Sequence, residues 1–287
     1  MIMFDRGDAA ALTACSDLLS EEAKGQVNQV CAYLQSLGLE PRKSSLLYGT
    51  ALEAKPREKA AILNQFYRDR RVRVIFDVSG GNASNELLPY LDYEAAKREP
   101  KLFWGYSDCT ALLNAIYAET GNPGVLWQIR NLAKGDGNRQ KARFQRWIEG
   151  RDSELFQVNW QFRQGSFMEG ILVGGNLRCF LKLAGTPYFP DLEGKLLFLE
   201  GLSGSPAFLA SLLSQLAQTG AFNKISGLLL GTFTELESRQ EYPDIFELLL
   251  RCGLPERLPV AATGEVGHGA DAKALWIGKM MSAGVKR

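Results

Sequence analysis

The tetrapeptide Gly105-Tyr106-Ser107-Asp108 stands between a short apolar run, LFW, and a helix-patterned segment, TALLNAIYAETG. A serine on a sharp strand-to-helix corner exposes its hydroxyl, and the first amides of the helix point at the same space. Those amides and the helix dipole can stabilise an oxyanion, which is what acyl transfer through a serine requires. The fifth residue is Cys109, so the pentapeptide G-x-S-x-G is not completed. Serine is also a favoured helix N-cap, and the loop by itself leaves Ser107 open between cap and nucleophile.

A serine nucleophile needs a base, and the chain has one histidine. His268 lies in GEVGHGAD, where flanking glycines free the backbone to bring an imidazole toward another loop. The bland alternative is an ordinary polar loop residue. Glu200 closes the apolar run KLLFLE ahead of GLSG, so it is either a solvated strand end or a carboxylate aimed into a cleft to orient the imidazole. The loop SGGNAS (Ser79 to Ser84) follows the run VRVIFDV, and Gly80 and Gly81 permit a close backbone approach to a ligand. It suits a second oxyanion donor, a phosphate loop, or a plain strand-to-helix turn. It lacks both G-x-G-x-x-G and G-K-[ST], which weakens the nucleotide reading.

The elements that must position these residues alternate between strand-like and helix-like patterns. AAALTA precedes EEAKGQVNQVCAYLQSLGL, in which Val27, Val30, Cys31, Leu34 and Leu37 recur at helical spacing and Gly38 supplies the stop. A helix around KAAILNQFYRD leads into VRVIFDV. A helical ELLPYLDYEAAKRE, interrupted at Pro89, leads into LFW and the helix after Ser107. This rhythm predicts a parallel sheet covered on both faces, with sites at the carboxyl ends of its strands. SGGNAS and GYSD both follow strands, so they meet at that edge if their strands are neighbours. The stretch NLAKGDGNRQKARFQRWIEGRDSE is polar and blurred, and FQVNWQF alternates like a half-exposed strand. The domain change is placed here: residues 1–140 as the domain carrying the serine, 141–165 as a linking region, and 166–287 as the domain carrying Glu200 and His268. The last of these holds the strands KLLFLE, GLLLG, PVAAT and one near ALWI, with helices over FLASLLSQLAQTG and near IFELLLRCG.

With 287 residues the chain can bury a large core, and a net charge of +1 gives no basis for a partnership with nucleic acid or an anionic membrane. A small molecule or peptide is the expected partner. No apolar run approaches the roughly 18 residues of a membrane span, and MIMFDRGD turns to charge early, so a cytoplasmic protein is expected. The five cysteines (Cys15, Cys31, Cys109, Cys179, Cys252) have no C-x-x-C spacing, which indicates neither a disulfide framework nor a zinc site.

Taken in order, three segments resemble a known family. GGNASNELLPYLDYEAAKREPKLFWGYSDCTALLNAIYAETG, VGGNLRCFLKLAGTPYFPDLEGKLLFLE and the later GHG are similar to the LD-carboxypeptidases of the serine peptidases (family S66), which include the microcin C immunity carboxypeptidases. The similarity runs from about Gly7 to His268. It implies a Ser-Glu-His triad of Ser107, Glu200 and His268, with the backbone amides of Gly81 and Asp108 as oxyanion donors. It also implies an α/β fold: a flavodoxin-like three-layer N-terminal domain with a parallel sheet, and a smaller β-rich α/β C-terminal domain, the triad assembling across the cleft. A homodimer is implied, and neither metal nor cofactor.

The implied reaction is hydrolysis of the amide before a C-terminal residue, in a murein tetrapeptide or in a microcin-like peptidyl or aminoacyl adenylate. Three segments depart from the family pattern: SGGNA stands in place of R-G-G-Y-G, VLWQIRNL lacks a Gly-Pro step, and GLSGSP replaces an acidic D-V-G-E turn. They leave the choice of substrate open. They also motivate the competing expectation of a catalytically idle ligand-binding protein on the same fold.

Overall fold

The computed structural model describes residues 4–50, 53–135, 137–151, 154–239 and 243–285. Five strands come first: β1 (Ala9–Thr13), β2 (Glu40–Lys43), β3 (Val72–Asp77), β4 (Leu102–Gly105) and β5 (Gly124–Leu126). Then follow β6 (Gln161–Gln164), β7 (Phe167–Asn176), β8 (Leu196–Gly201) and β9 (Gly227–Phe233). The last three are β10 (Val260–Ala262), β11 (Leu275–Ile277) and β12 (Met280–Gly284). The helices that matter for the site are α1 (Lys24–Ser36), α2 (Pro56–Arg68), α3 (Tyr93–Arg98), α4 (Thr110–Thr120), α5 (Gly137–Ile148), α6 (Leu177–Leu181) and α7 (Pro206–Gln218).

The strands form two six-stranded sheets, β11-β5-β4-β3-β1-β2 and β12-β7-β8-β9-β10-β6. In the first, β2, β1, β3, β4 and β5 run parallel and β11 is an antiparallel edge. In the second, β7 to β10 run parallel between the antiparallel edges β12 and β6. The fold is α/β, as expected, with a parallel centre in both halves. Side chains of the first sheet alternate between two cores: Ala9, Ala11, Ile75 and Phe103 face one, Ala10, Leu12, Val74, Phe76 and Trp104 the other. That is the period of two that a sheet buried on both faces imposes.

Helix α4 lies between the halves. Its residues Thr110 to Ile116 are all buried, the condition of a helix with protein on every side. Buried polar groups fix how the second sheet sits against it. Asn114 donates through Nδ2 to Gly174 O at 2.9 Å and accepts from Gly174 N at 2.8 Å, while Thr110 Oγ1 accepts from Asn176 N at 2.9 Å. Gly175 is pressed so closely on Thr110 that a Cβ there would stand 2.5 Å from the hydroxyl, and its φ of 142° is one that a side chain resists.

Sheet membership does not follow the expected partition at 140 and 166. Within 141–165 lies most of α5, whose Phe144 is fully buried in the core of the first sheet, and Leu275–Ile277 returns to extend that sheet. The amphipathic period of α5 is hidden by Arg139, Lys141, Arg143 and Arg146 around two inward aromatics, which is why the stretch reads as linker. FQVNWQF forms a strand only from Gln161. The expected helix over ELLPYLDYEAAKRE is two pieces: a 3-10 turn, Ser84–Tyr90, and α3, whose first turn is capped by Asp92 Oδ1 accepting from Ala95 N at 2.9 Å.

Candidate active site

β4 ends at Gly105, Tyr106 continues extended, and the chain then turns through Ser107 at φ 54° into a 3-10 turn, Ser107–Cys109, that runs on into α4. Ser107 is the one non-glycine residue with positive φ among the described residues. An L-residue in that region costs about 1–2 kcal/mol, a strain that survives only where surrounding contacts fix the corner. The N-cap is Tyr106, and no side-chain cap bond closes the turn. The capping alternative for Ser107 is therefore not what its hydroxyl does.

The Ser107 hydroxyl stands 3.2 Å from His268 Nε2, and His268 Nδ1 stands 2.8 Å from Glu200 Oε2. Glu200 is fully buried at the end of β8, where its other oxygen accepts from Asn176 Nδ2 at 3.0 Å. An imidazole that donates its Nδ1 proton to this carboxylate presents Nε2 as an acceptor toward the serine. The Tyr106 ring packs edge-to-face with the imidazole, with ring centroids 4.8 Å apart and the planes at 66°. Burial, and after it the Glu200 charge, pushes the Tyr106 phenol well above its usual range, so it remains neutral. The nearby thiols are no rivals to Ser107. Burial and then the Asp77 charge push both Cys15 and Cys109 well up, which keeps them as thiols.

The neighbouring strand, β3, delivers the SGGNAS loop beside this corner, as adjacent strands require. Gly81 is at φ 133°, and a Cβ there would run into the Asp17 side chain. The loop is held from three directions. Asp77 accepts from Ser79 N at 2.7 Å, Gln128 Nε2 donates to Ser79 O at 2.9 Å, and Arg178 of α6 donates to Asn82 Oδ1 at 2.6 Å and Gly81 O at 3.2 Å. The amides of Gly81 and Asp108 donate to no acceptor among the described residues, so both are free to serve a ligand. The Asp108 side chain pins the corner from beneath. Its carboxylate accepts from Ser16 Oγ at 2.6 Å and Ser84 N at 2.8 Å, and Nζ of Lys182, the residue that caps the end of α6, pairs with it. Burial raises that carboxyl, but the bonds from Lys182, Ser16 and Ser84 outweigh it and leave it below the ordinary carboxylate range.

Ser107, His268 and Gly81 open onto one cavity of about 220 Å³, whose other wall carries Gln128, Arg130, Asn131 and Lys134. Sequence reasoning missed these last residues, along with the supports Asn176, Arg178 and Lys182. The signal for the first group was available: VLWQIRNL begins inside β5 and runs out of its end at Trp127, so Gln128, Arg130 and Asn131 sit at the same carboxyl edge as the two loops already singled out. Among the described residues no three His, Cys, Asp or Glu side chains are grouped as metal ligands would be.

Residues 10–126 match the model of the LD-carboxypeptidase N-terminal domain, and residues 169–282 match that of the LD-carboxypeptidase C-terminal domain. The chain belongs to the LD-carboxypeptidase family. Among curated members of this S66 family, the microcin C7 self-immunity protein MccF of Escherichia coli is 28% identical over 296 residues, 91% of this chain and 86% of that protein. A Bacillus subtilis protein named "probable murein peptide carboxypeptidase" is 30% identical over 213 residues, 70% of this chain and 65% of that protein. In three dimensions the LD-carboxypeptidase fold seen here superposes on MccF in complex with aspartyl sulfamoyl adenosine with a TM-score of 0.85 at 23% identity, covering 98% and 94% of the two chains. The muramoyltetrapeptide carboxypeptidase of Oxalobacter formigenes gives 0.81 at 24% identity, covering 97% and 95%. At these identities the superpositions speak for the fold, which matches the two-domain α/β architecture expected from the sequence. No helix among the described residues is long and apolar enough to cross a membrane.

Proposed function

We propose that this LD-carboxypeptidase family member is a serine carboxypeptidase that hydrolyses the amide before a C-terminal residue, with Ser107, His268 and Glu200 as its triad. The observation that carries the reading is the hydrogen-bonded series from Ser107 Oγ through His268 to the buried Glu200, set at a strained corner that faces a cavity. His268 Nε2 takes the hydroxyl proton as Ser107 Oγ bonds to the carbonyl carbon, and Glu200 steadies the imidazolium. The carbonyl oxygen becomes an oxyanion, held by the N–H groups of Gly81 and Asp108. Collapse breaks the C–N bond, and the leaving amine takes the proton from His268. Water then repeats the steps on the acyl-serine and frees the enzyme.

Two substrate classes come from the relatives: the murein peptide in the name of the Bacillus protein, and the aminoacyl sulfamoyl nucleosides bound to MccF. Incubating the protein with a D-alanine-terminated murein tetrapeptide and with an aminoacyl sulfamoyl adenosine, with products read by mass, separates them. The Ser107→Ala variant should retain no more than about 10⁻⁴ of the wild-type rate on whichever is cleaved. Full activity in that variant would end the serine mechanism. The idle-protein alternative rests on the departing SGGNA, VLWQIRNL and GLSGSP segments alone, and the relay weighs against it, because each member is in hydrogen-bonding reach of the next.

A further inference from the structure

The wall of the cavity that the relay does not use carries two cations that form no ion pair among the described residues. Arg130 and Lys134 line it, and neither side chain has a hydrogen bond or ion pair among the described residues. The Arg130 Nε is wholly buried without a partner. The other cations near Ser107 are committed: Arg178 to Asn82 and Gly81, Lys182 to Asp108 and Asn82, Lys59 to Ser16 O. Asp77, the carboxylate whose charge reaches Arg130, has both oxygens taken, one by Cys15 N and the other by Ser79. With Asp77 already hydrogen-bonded elsewhere, a half-buried guanidinium whose Nε has no partner can take an anion as its ion-pair partner.

We infer that Arg130, seconded by Lys134, receives the free C-terminal carboxylate of the substrate, and that the substrate is a peptide ending in one small residue. The inference rests on the reading of Ser107 as nucleophile. Three observations direct it to a peptide carboxylate. First, the cavity of about 220 Å³ that Arg130, Lys134 and Ser107 line together is below the roughly 300–1,000 Å³ usual for drug-sized ligands, and has room for a single small residue. Second, Gln128 ties the cation to the chemistry: its Oε1 accepts from Arg130 N at 3.2 Å while its Nε2 donates to Ser79 O, next to the glycines of the oxyanion loop. A carboxylate on Arg130 is thereby held in register with the carbonyl that Ser107 attacks. Third, burial lowers the pKa of both cations, and for Lys134 the charge of Arg130 adds to it, so an anion between them relieves a real repulsion.

The test compares a D-alanine-terminated tetrapeptide with the same peptide amidated at its C-terminus, using wild type, Arg130→Gln and Arg130→Lys. Wild type should prefer the acid, and Arg130→Gln should reduce the acid-to-amide ratio of kcat/KM by about 100-fold, chiefly through KM, as loss of a charged hydrogen-bond partner implies. Arg130→Lys should recover part of it, because it keeps the charge and loses the fork. Thermal unfolding checks that each variant folds, and if Arg130→Gln does not, the ratio in Arg130→Lys decides. An unchanged ratio overturns the inference and leaves the serine mechanism standing. If wild type cleaves neither peptide, the mechanism reading fails only if aminoacyl sulfamoyl adenosine is not cleaved either, and calorimetric binding of the two peptides judges Arg130 by itself. Acid-selective binding lost in Arg130→Gln supports it, and equal binding, or binding of aminoacyl sulfamoyl adenosine alone, overturns it.

Discussion

Ser107 is the residue at which the local rules of the chain are broken, and the break is informative. Its positive φ lifts the hydroxyl off the helix start and toward His268, and leaves the Asp108 amide without an intrachain acceptor. If that backbone is strained, glycine should accommodate it better than alanine. Ser107→Gly is expected to be more stable than Ser107→Ala by about 1 kcal/mol, with both lacking the nucleophile. Urea unfolding of the pair checks this, and equal midpoints would remove the strain from the account. Glu200 offers the matching test on the other side of the imidazole. Glu200→Gln keeps the shape, but it removes the charge that stabilises the imidazolium, and its amide can face Nδ1 with N–H against N–H. A fall in kcat of about 10³–10⁴ with little change in KM is expected from steady-state kinetics. A loss below tenfold would mean that Glu200 only fills space. The types and order of these residues were legible in the sequence. The distances were not, since Ser107 and His268 are 161 positions apart and only the packed halves bring them within reach.

At the scale of elements, the apolar runs foretold the buried strands β1, β3, β4, β8 and β9, because a sheet covered on both faces needs continuous hydrophobic sequence. The edge strands β2 and β12, EPRK and MMSAG, carry no such pattern and were not foreseen. Their pairing is decided by the strand beside them, which composition does not reveal. VGGN was recognised as a motif, yet its mechanical reason appears only in the fold. Gly175 near the end of β7 lets the backbone meet α4, Gly174 beside it lets the strand lie close on β8, and Asn176 then turns back to hold Glu200. Asn114 is the counterpart on α4, satisfying both backbone groups of Gly174. Asn114→Ala leaves a buried N–H and a buried C=O unpaired, at about 1–3 kcal/mol each. A loss of about 2–4 kcal/mol in urea unfolding is expected, with a decrease in kcat as β7 loosens its hold on Asn176. A variant as stable as wild type would show that water replaces the side chain and that this contact does not fix the docking.

For the whole molecule the question is what joins the two halves at the site, and neither Lys182 nor Asp108 announces that role in the sequence. Lys182 stands just past the short α6, and Asp108 is an acidic residue in the first turn after the corner, a place where a carboxylate is favourable without any partner. In the structure the Lys182 ammonium of the second half pairs with the fully buried Asp108 carboxylate of the first, directly beneath the oxyanion amide. The consequence for stability has a definite sign. A carboxyl held below its unfolded value of about 3.9 contributes stability at every pH above that value, and the contribution is lost as pH falls through the lower folded value. In Lys182→Met the strongest bond to Asp108 is gone, and burial, the largest single influence, pushes the carboxyl up instead. The variant should lose about 3 kcal/mol at pH 7, the lower end of the range for a broken buried pair because Lys182 keeps some exposure. As pH falls from 7 toward 4, Asp108 should take up its proton in the variant before it does in wild type, and the deficit should shrink. Urea midpoints of the two proteins across that interval measure it, and a deficit independent of pH would place the link between the halves elsewhere than at Asp108.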